Sequence, residues 1–228
     1  MIKKEYLQYL KFPPGLEGDW SDRSETFSKA LTMFSETSSN STIVELGTTR
    51  SYVGGGFEGC LSPNDKYWKP DNPETWDWQA GCFTIIAAEF CQKLKDRNIE
   101  FHTVDLSAEH IRRAKLMTEH IYEKIQYHVT SSLDFLQNFQ NKIDLLYIDT
   151  GDCEPRTMEL QFLEAQIVVN KSLIADGGLI LIDDVFRPNK YRAQFYRNKS
   201  ELSLPFYLQN GFELVYSNYQ TLLRKKVN

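Results

Sequence analysis

The feature that most restricts what this chain can become is an alternation that begins near Ser41 and runs almost to the last residue. Short β-rich runs (Thr42–Leu46, Glu100–Asp105, Ile125–Thr130, Asp144–Asp149 and Leu179–Asp183) alternate with apolar stripes at helical spacing. The stripes are Cys82, Ile86, Phe90 and Leu94; then Ile111, Ala114, Met117 and Ile121; then Met158, Phe162, Ala165, Val169 and Leu173. A period of two that keeps giving way to a period near 3.6 is the pattern of parallel strands joined by crossover helices. The class this predicts is α/β, a doubly wound, mostly parallel, Rossmann-like sheet covered on both faces. The final runs, "GFELVYSN" and "YQTLLRKK", have almost nothing between them and predict an antiparallel hairpin at the sheet edge.

Local signals add boundaries. Ser107 is a suitable N-cap with Glu109 in the first turn after it, and the third stripe predicts a helix ending near Ala175, stopped by Gly177 and Gly178. Residues 1–40 read as an N-terminal helical segment broken at Pro13, Pro14 and Gly15, expected to pack over the sheet or close a pocket. Residues 41–228 form the main body. With 228 residues, 41% of them hydrophobic, and no low-complexity linker, one domain is expected overall.

The longest apolar runs are too short to span a bilayer, and "MIKKEYLQYLKFPPG" lacks the apolar core and cleavage site of a signal segment. A soluble cytoplasmic protein is therefore expected. A net charge of −5, with lysines and arginines scattered among acids, offers no basic face for nucleic acid and favours a small-molecule partner. Self-association is left open. Cys60, Cys82, Cys91 and Cys153 have neither metal-ligand spacing nor a disulfide pattern and read as reduced, partly buried thiols.

Ligands of an open parallel sheet bind beyond the carboxyl ends of its strands. Those ends carry Glu45 with Gly47, Asp105, Asp149, and Asp183 with Asp184. The first of them opens "IVELGTTRSYVGGG", which lacks the glycine fingerprint of a dinucleotide loop. A pyrophosphate would be repelled by Glu45 and obstructed by the β-branches of Thr48 and Thr49. A ligand with adenosine at one end and an ammonium group at the other would accept Glu45, while Asp105 suits ribose hydroxyls. The plain alternative for Asp105 is a helix cap, a job Ser107 can do.

S-adenosylmethionine is such a ligand, and here "VELGTTR", "HTVDLS" and "VTSSLDFL" resemble the donor-binding motifs of class I S-adenosylmethionine-dependent methyltransferases over about residues 42–226. The resemblance implies the class I methyltransferase fold, with Glu45, Gly47, Thr48, Thr49, Arg50, Asp105, Leu106, Ser131, Ser132 and Asp149 around the methyl donor. Thr49 replaces the usual second glycine, and Arg50 is placed to reach the methionyl carboxylate. Within that superfamily, "DLLYIDTGDCEP" followed by "DGGLILIDDV" resembles the macrocin O-methyltransferase and cephalosporin hydroxylase-like group. That likeness implies a divalent metal, Mg²⁺, on Asp149, Asp183 and Asp184. Asp152 stands where the group often has histidine, which leaves Asp149 or Asp152 as the base.

Three clustered carboxylates need a cation or a shared proton, and oxygen-only ligands favour a hard ion such as Mg²⁺. The competing reading gives these acids structural work: Asp184 as a helix cap, Asp183 toward solvent, and Asp149 beside the methionyl ammonium. His102 and His128 fall within strands, and His110 and His120 fall on a helix face where solvation or packing is the ordinary role. The stretch from Thr48 to Trp76, about thirty residues where two to six are usual, is long enough to serve an acceptor. Its aromatics Tyr67 and Trp68, with Trp76 and Trp78, are candidate pocket walls; packing against the sheet is the simpler role. The function expected is methyl transfer from S-adenosylmethionine to a hydroxyl oxygen of a small molecule, a sugar or natural product. Against it stand a non-catalytic S-adenosylmethionine-binding protein and a nicotinamide-dependent enzyme.

Overall fold

The computed structural model describes residues 2–10, 23–37, 40–48, 68–78, 82–151, 155–185 and 199–227. In chain order the elements are α1 (Lys4–Leu7), α2 (Arg23–Ser35), β1 (Asn40–Leu46), a 3₁₀ turn (Pro73–Thr75), α3 (Phe83–Lys93), β2 (Asn98–Asp105), α4 (Ala108–Thr118), β3 (Ile125–Val129) and α5 (Ser132–Asn138). There follow β4 (Ile143–Ile148), α6 (Pro155–Asn170), β5 (Ile174–Ile182), α7 (Ser203–Gln209), β6 (Phe212–Ser217) and β7 (Thr221–Lys225).

The seven strands lie in the order β3-β2-β1-β4-β5-β7-β6. Strands β1 to β5 are parallel, and β7 runs antiparallel to both β5 and β6. The expected α/β class and terminal hairpin are both present. The chain winds outward from β1 to β3 and then returns to start β4 on the other side of β1. Strand order therefore reverses between β1 and β4, which opens a crevice above their carboxyl ends.

Alternation along the strands divides the core into two layers. Ile43, Leu145, Tyr147, Leu179 and Leu181 pack with Phe27 and Phe34 of α2 and Phe83 and Ile86 of α3. Their neighbours Val44, Leu46, Leu146, Ile148, Ile180 and Ile182 pack on the opposite face with Leu136, Ala165, Val168 and Tyr207 from α5, α6 and α7. Because both faces are covered, the central strands read as continuous apolar runs. Among the described residues no helix is long and apolar enough to cross a membrane. Cys82 and Cys91 are buried free thiols; Cys60 and Cys153 lie outside the described residues.

One boundary differs from expectation. Helix α6 ends at Asn170, Ser172 turns the chain at φ 50°, and Ala175 to Gly178 belong to β5. The glycines are therefore strand residues, placed where the register against β4 shifts. A Cβ on Gly178 would stand 2.8 Å from Ile174 Cγ2 and 2.9 Å from the Ala175 carbonyl oxygen. Close backbone approach, rather than helix termination, selects glycine here. Helix α7 had no sequence signal, being one short run, "SLPFYLQ", with Pro205 in its first turn.

Candidate active site at the carboxyl ends of the strands

The ends of β1, β2 and β4 are drawn together by backbone bonds that outlast the strands. Gly47 donates its N–H to the Val104 carbonyl at 2.9 Å, and Asp149 donates to the Leu46 carbonyl at 2.8 Å. Gly47 adopts φ 84°, and a Cβ there would stand 2.4 Å from the Asp149 carbonyl oxygen. Only glycine lets β1 and β4 close up at the switch point.

Beside it, Asp105 is held from three directions. Its Oδ2 accepts the Thr48 N–H at 3.2 Å, and its Oδ1 accepts the Ser107 N–H at 2.7 Å and the His110 Nδ1–H at 3.2 Å. A carboxylate offers about four acceptor positions, so Oδ2 retains one for a ligand hydroxyl. Ser107 caps α4 as expected, accepting the His110 N–H at 3.3 Å. His110 is a site residue that helix-face reasoning assigned to solvent or packing. It is buried against Asp105, and its Nε2 has no hydrogen-bond partner among the described residues. Next to this carboxylate Leu106 is 75% exposed, and Val129 at the end of β3 is 55% exposed.

Glu45 is placed differently from the surface role expected of it. The side chain is 1% exposed, and its Oε2 accepts the hydroxyls of Thr84 at 2.7 Å and Thr103 at 2.6 Å. Thr48 joins the same group, 2.7 Å from the Thr103 hydroxyl and 3.2 Å from that of Thr84. Burial raises the Glu45 carboxyl to about 8. It ties β1, β2 and α3 together beneath the site. Ser132 is likewise internal: its hydroxyl donates to the buried Glu164, which also accepts from Thr150 at 3.0 Å. Burial carries Glu164 to about 7. Ser131 caps α5 and accepts the Asp134 N–H at 3.0 Å.

Asp149, Asp183 and Asp184 do converge, with one oxygen of each within 4.8 Å of the others. Two cations meet them there. Arg23, the first residue of α2, bonds both oxygens of Asp183, its Nε at 3.1 Å from each and its Nη2 at 2.9 Å from Oδ2. Lys199 Nζ bridges the other two, 2.9 Å from Asp149 Oδ1 and 2.6 Å from Asp184 Oδ2. Tyr219 donates its hydroxyl to Asp184 Oδ1, and its ring lies 4.5 Å from the Arg23 guanidinium. Burial raises Asp149 to about 7 against the pull of Lys199. Burial would also raise Asp184, but Lys199 and Arg23 outweigh it and hold that carboxyl at about 2. Arg23 lies 160 positions from Asp183 in sequence, and Lys199 is one of several basic residues that follow Asp184, with no local pattern to single it out.

Trp76 and Trp78 are 7% and 8% exposed and belong to the main core cluster with Tyr6. Trp78 stacks on Tyr9 with centroids 5.0 Å apart. Their indole N–H groups donate to the Lys69 carbonyl at 2.9 Å and the Pro73 carbonyl at 2.7 Å. Both anchor the N-terminal segment to the domain, and Trp76 also lines a cavity of about 500 Å³ with Tyr6, Tyr9 and His120. Thr49, Arg50, Tyr67 and Asp152 lie outside the described residues.

Residues 79–185 match a family described as a methyltransferase domain. No curated protein matches the sequence. Among solved structures, the S-adenosylhomocysteine-bound methyltransferase PaMTH1 of Podospora anserina superposes with a TM-score of 0.56 at 12% identity, covering 99% of this chain and 89% of that one. The N-methyltransferase NodS of Bradyrhizobium japonicum WM9 gives 0.51 at 13% identity, over 89% of this chain and 96% of that one. Magnesium protoporphyrin IX methyltransferase (ChlM) of Synechocystis PCC 6803, with bound S-adenosylmethionine, gives 0.50 at 11% identity, over 89% and 79%. At these identities the likeness is one of fold. The family match covers residues 79–185, and the solved structures share the fold over most of the chain.

Proposed function

We propose that this chain, a methyltransferase by its domain match and its fold, transfers the methyl group of S-adenosylmethionine to a hydroxyl oxygen of a small molecule. The observation that carries this reading is the content of the matched segment, residues 79–185. It contains both Asp105, with an acceptor position open, and Asp149 at the end of β4, on the other side of β1.

The residues at the end of β2 fit an adenosine. Asp105 Oδ2 is placed to accept a ribose hydroxyl, with Thr48 N–H, Ser107 N–H and His110 fixing the carboxylate. Leu106 and Val129, exposed at neighbouring strand ends, offer apolar surface to a base. The bound donor supplies an electrophilic methyl group on a sulfonium. On the acceptor side Asp149 is the base, a carboxyl raised to about 7 by burial and therefore able both to hold and to release a proton near neutrality. Its Oδ1 is engaged by Lys199, and among the described residues its Oδ2 meets only the more distant Tyr147 hydroxyl at 3.4 Å. Oδ2 is the oxygen left to take the acceptor's proton. A resident Mg²⁺ does not fit this donor set, because Arg23 and Lys199 already use the carboxylate oxygens it would need. No step is assigned to a metal.

Calorimetry with S-adenosylhomocysteine tests the donor. Binding is expected for the wild type, and Asp105→Ala should weaken it by about 1 to 3 kcal/mol through loss of a charged hydrogen-bond partner. NAD should give no heat; binding of NAD in place of S-adenosylhomocysteine would overturn the reading. Turnover with panels of hydroxylated and amino acceptors then decides the acceptor atom, and methylation confined to amines would reject oxygen.

A further inference from the structure

Three carboxylates meeting beyond neighbouring strands ordinarily call for a divalent ion. We propose that this chain fills that position with its own cations, Lys199 bridging Asp149 and Asp184 while Arg23 saturates Asp183, so that the site works without metal and Lys199 is the positioning residue that fixes Asp149. The proposal rests on the reading of this end of the sheet as the acceptor side of a methyltransferase.

The geometry leaves an ion little to bind. Asp183 is fully buried, and both its oxygens are taken by the planar fork of Arg23, a side chain that does not give up its proton. A metal on Asp183 would strand that guanidinium, itself 2% exposed, without its partner. The oxygens of Asp184 are also committed, Oδ1 to the Tyr219 hydroxyl and Oδ2 to Lys199. The Lys199 ammonium, 2.9 Å from one carboxylate and 2.6 Å from the other and 3% exposed, stands where a bridging ion would stand. With every group ionised the cluster keeps one net negative charge rather than three. That balance suits a neutral acceptor and a cationic donor better than it suits a second dication. Among the described residues the ion pairs also explain why, of the three acids, Asp149 retains a loosely held oxygen, since its neighbours are locked from both sides.

The test uses the full chain freed of metal and titrated with Mn²⁺, the free ion being followed by electron paramagnetic resonance, with S-adenosylhomocysteine calorimetry on the same preparation. Wild type is expected to take up no Mn²⁺ at millimolar concentration, and its S-adenosylhomocysteine affinity should be unchanged by EDTA. Lys199→Met, which keeps the length and removes the charge, should gain a Mn²⁺ site at least about tenfold tighter than any wild-type uptake. Stoichiometric Mn²⁺ on the wild type that Asp184→Asn abolishes would overturn the proposal, as would a folded Lys199→Met that gains nothing. Should Lys199→Met not fold, Lys199→Arg, which keeps the charge, decides beside the wild type: no uptake supports the proposal and uptake rejects it. Failure of S-adenosylhomocysteine to bind, with Mn²⁺ also excluded, removes the donor reading and leaves the internal cations standing.

Discussion

Glu45 is a carboxyl group enclosed by threonine hydroxyls, with burial as the main obstacle to its ionisation and the fields of Asp149 and Asp105 adding to it. Its ordinary value of 4.5 becomes about 8 in the folded chain. Between those two pH values the unfolded chain has released the proton and the folded chain retains it, so the stability the protonated group contributes is complete at low pH and is lost as pH rises through about 8. Gln keeps an oxygen for Thr84 and Thr103 and has nothing to ionise. Glu45→Gln is therefore expected to match the wild type near pH 5 and to exceed it at pH 8 by on the order of 1 to 3 kcal/mol, read from urea unfolding at the two pH values. A variant less stable than wild type at pH 8 would mean that the ionised carboxylate is the native form. His110 makes a related point at the same scale. A helix-face histidine is ordinarily solvated, but one turn into α4 its ring reaches back to Asp105, a contact that depends on how the cap at Ser107 aims the helix.

Helix α2 shows how an element can be fastened at one point. Its apolar face packs Phe27, Ala30 and Phe34 into the core, and its first residue, Arg23, carries the bidentate pair to Asp183 across 160 positions of sequence. Because the pair is desolvated, removing one partner leaves a buried charge alone. Arg23→Met should destabilise the fold by about 3 to 5 kcal/mol, while Arg23→Met combined with Asp183→Leu should recover most of that loss. Denaturant unfolding of the single and double variants measures the difference. An Arg23→Met variant within about 0.5 kcal/mol of wild type would show the pair to be dispensable for stability. The aromatic contacts of Trp76 and Trp78 with Tyr6 and Tyr9 fasten the first helix in a similar way, through apolar area rather than charge.

At the scale of the whole molecule, one sheet holds both halves of the candidate site, so a ligand on it should stabilise everything at once. S-adenosylhomocysteine at about 100 times its dissociation constant should add about 2.7 kcal/mol to the free energy of unfolding, which in a domain of this size raises Tm by roughly 5 to 10 °C. Differential scanning calorimetry with and without the ligand checks this, and an unchanged Tm at saturation would contradict specific binding to the folded state. EDTA should leave Tm where it is, as expected of a carboxylate cluster balanced by Arg23 and Lys199.

What the sequence by itself determined was the architecture and which strand ends carry the acids. Strand and helix periods differ, so Ile43 to Leu46, Leu145 to Ile148 and Leu179 to Ile182 announce central strands, and the acids just beyond them fall at the carboxyl ends wherever the sheet is parallel. Ser107 was legible because a helix cap is a local demand on one residue type, whereas the close approach of Gly47 to Asp149 joins strands distant in sequence. The helix end at Asn170 was missed because glycine serves close packing as readily as helix termination, and spacing alone does not say which. Only the tertiary structure decided what the acids do. Burial turned Glu45 inward and packed Trp76 and Trp78 against Tyr6 and Tyr9, and the folding of α2 and of the segment before α7 against the strand ends delivered Arg23 and Lys199 to a cluster that reads, along the chain, as three uncompensated aspartates. The physical reason is one of range: backbone geometry is set by near neighbours in sequence, whereas the field at a carboxylate is set by whatever charge the fold brings within a few ångströms.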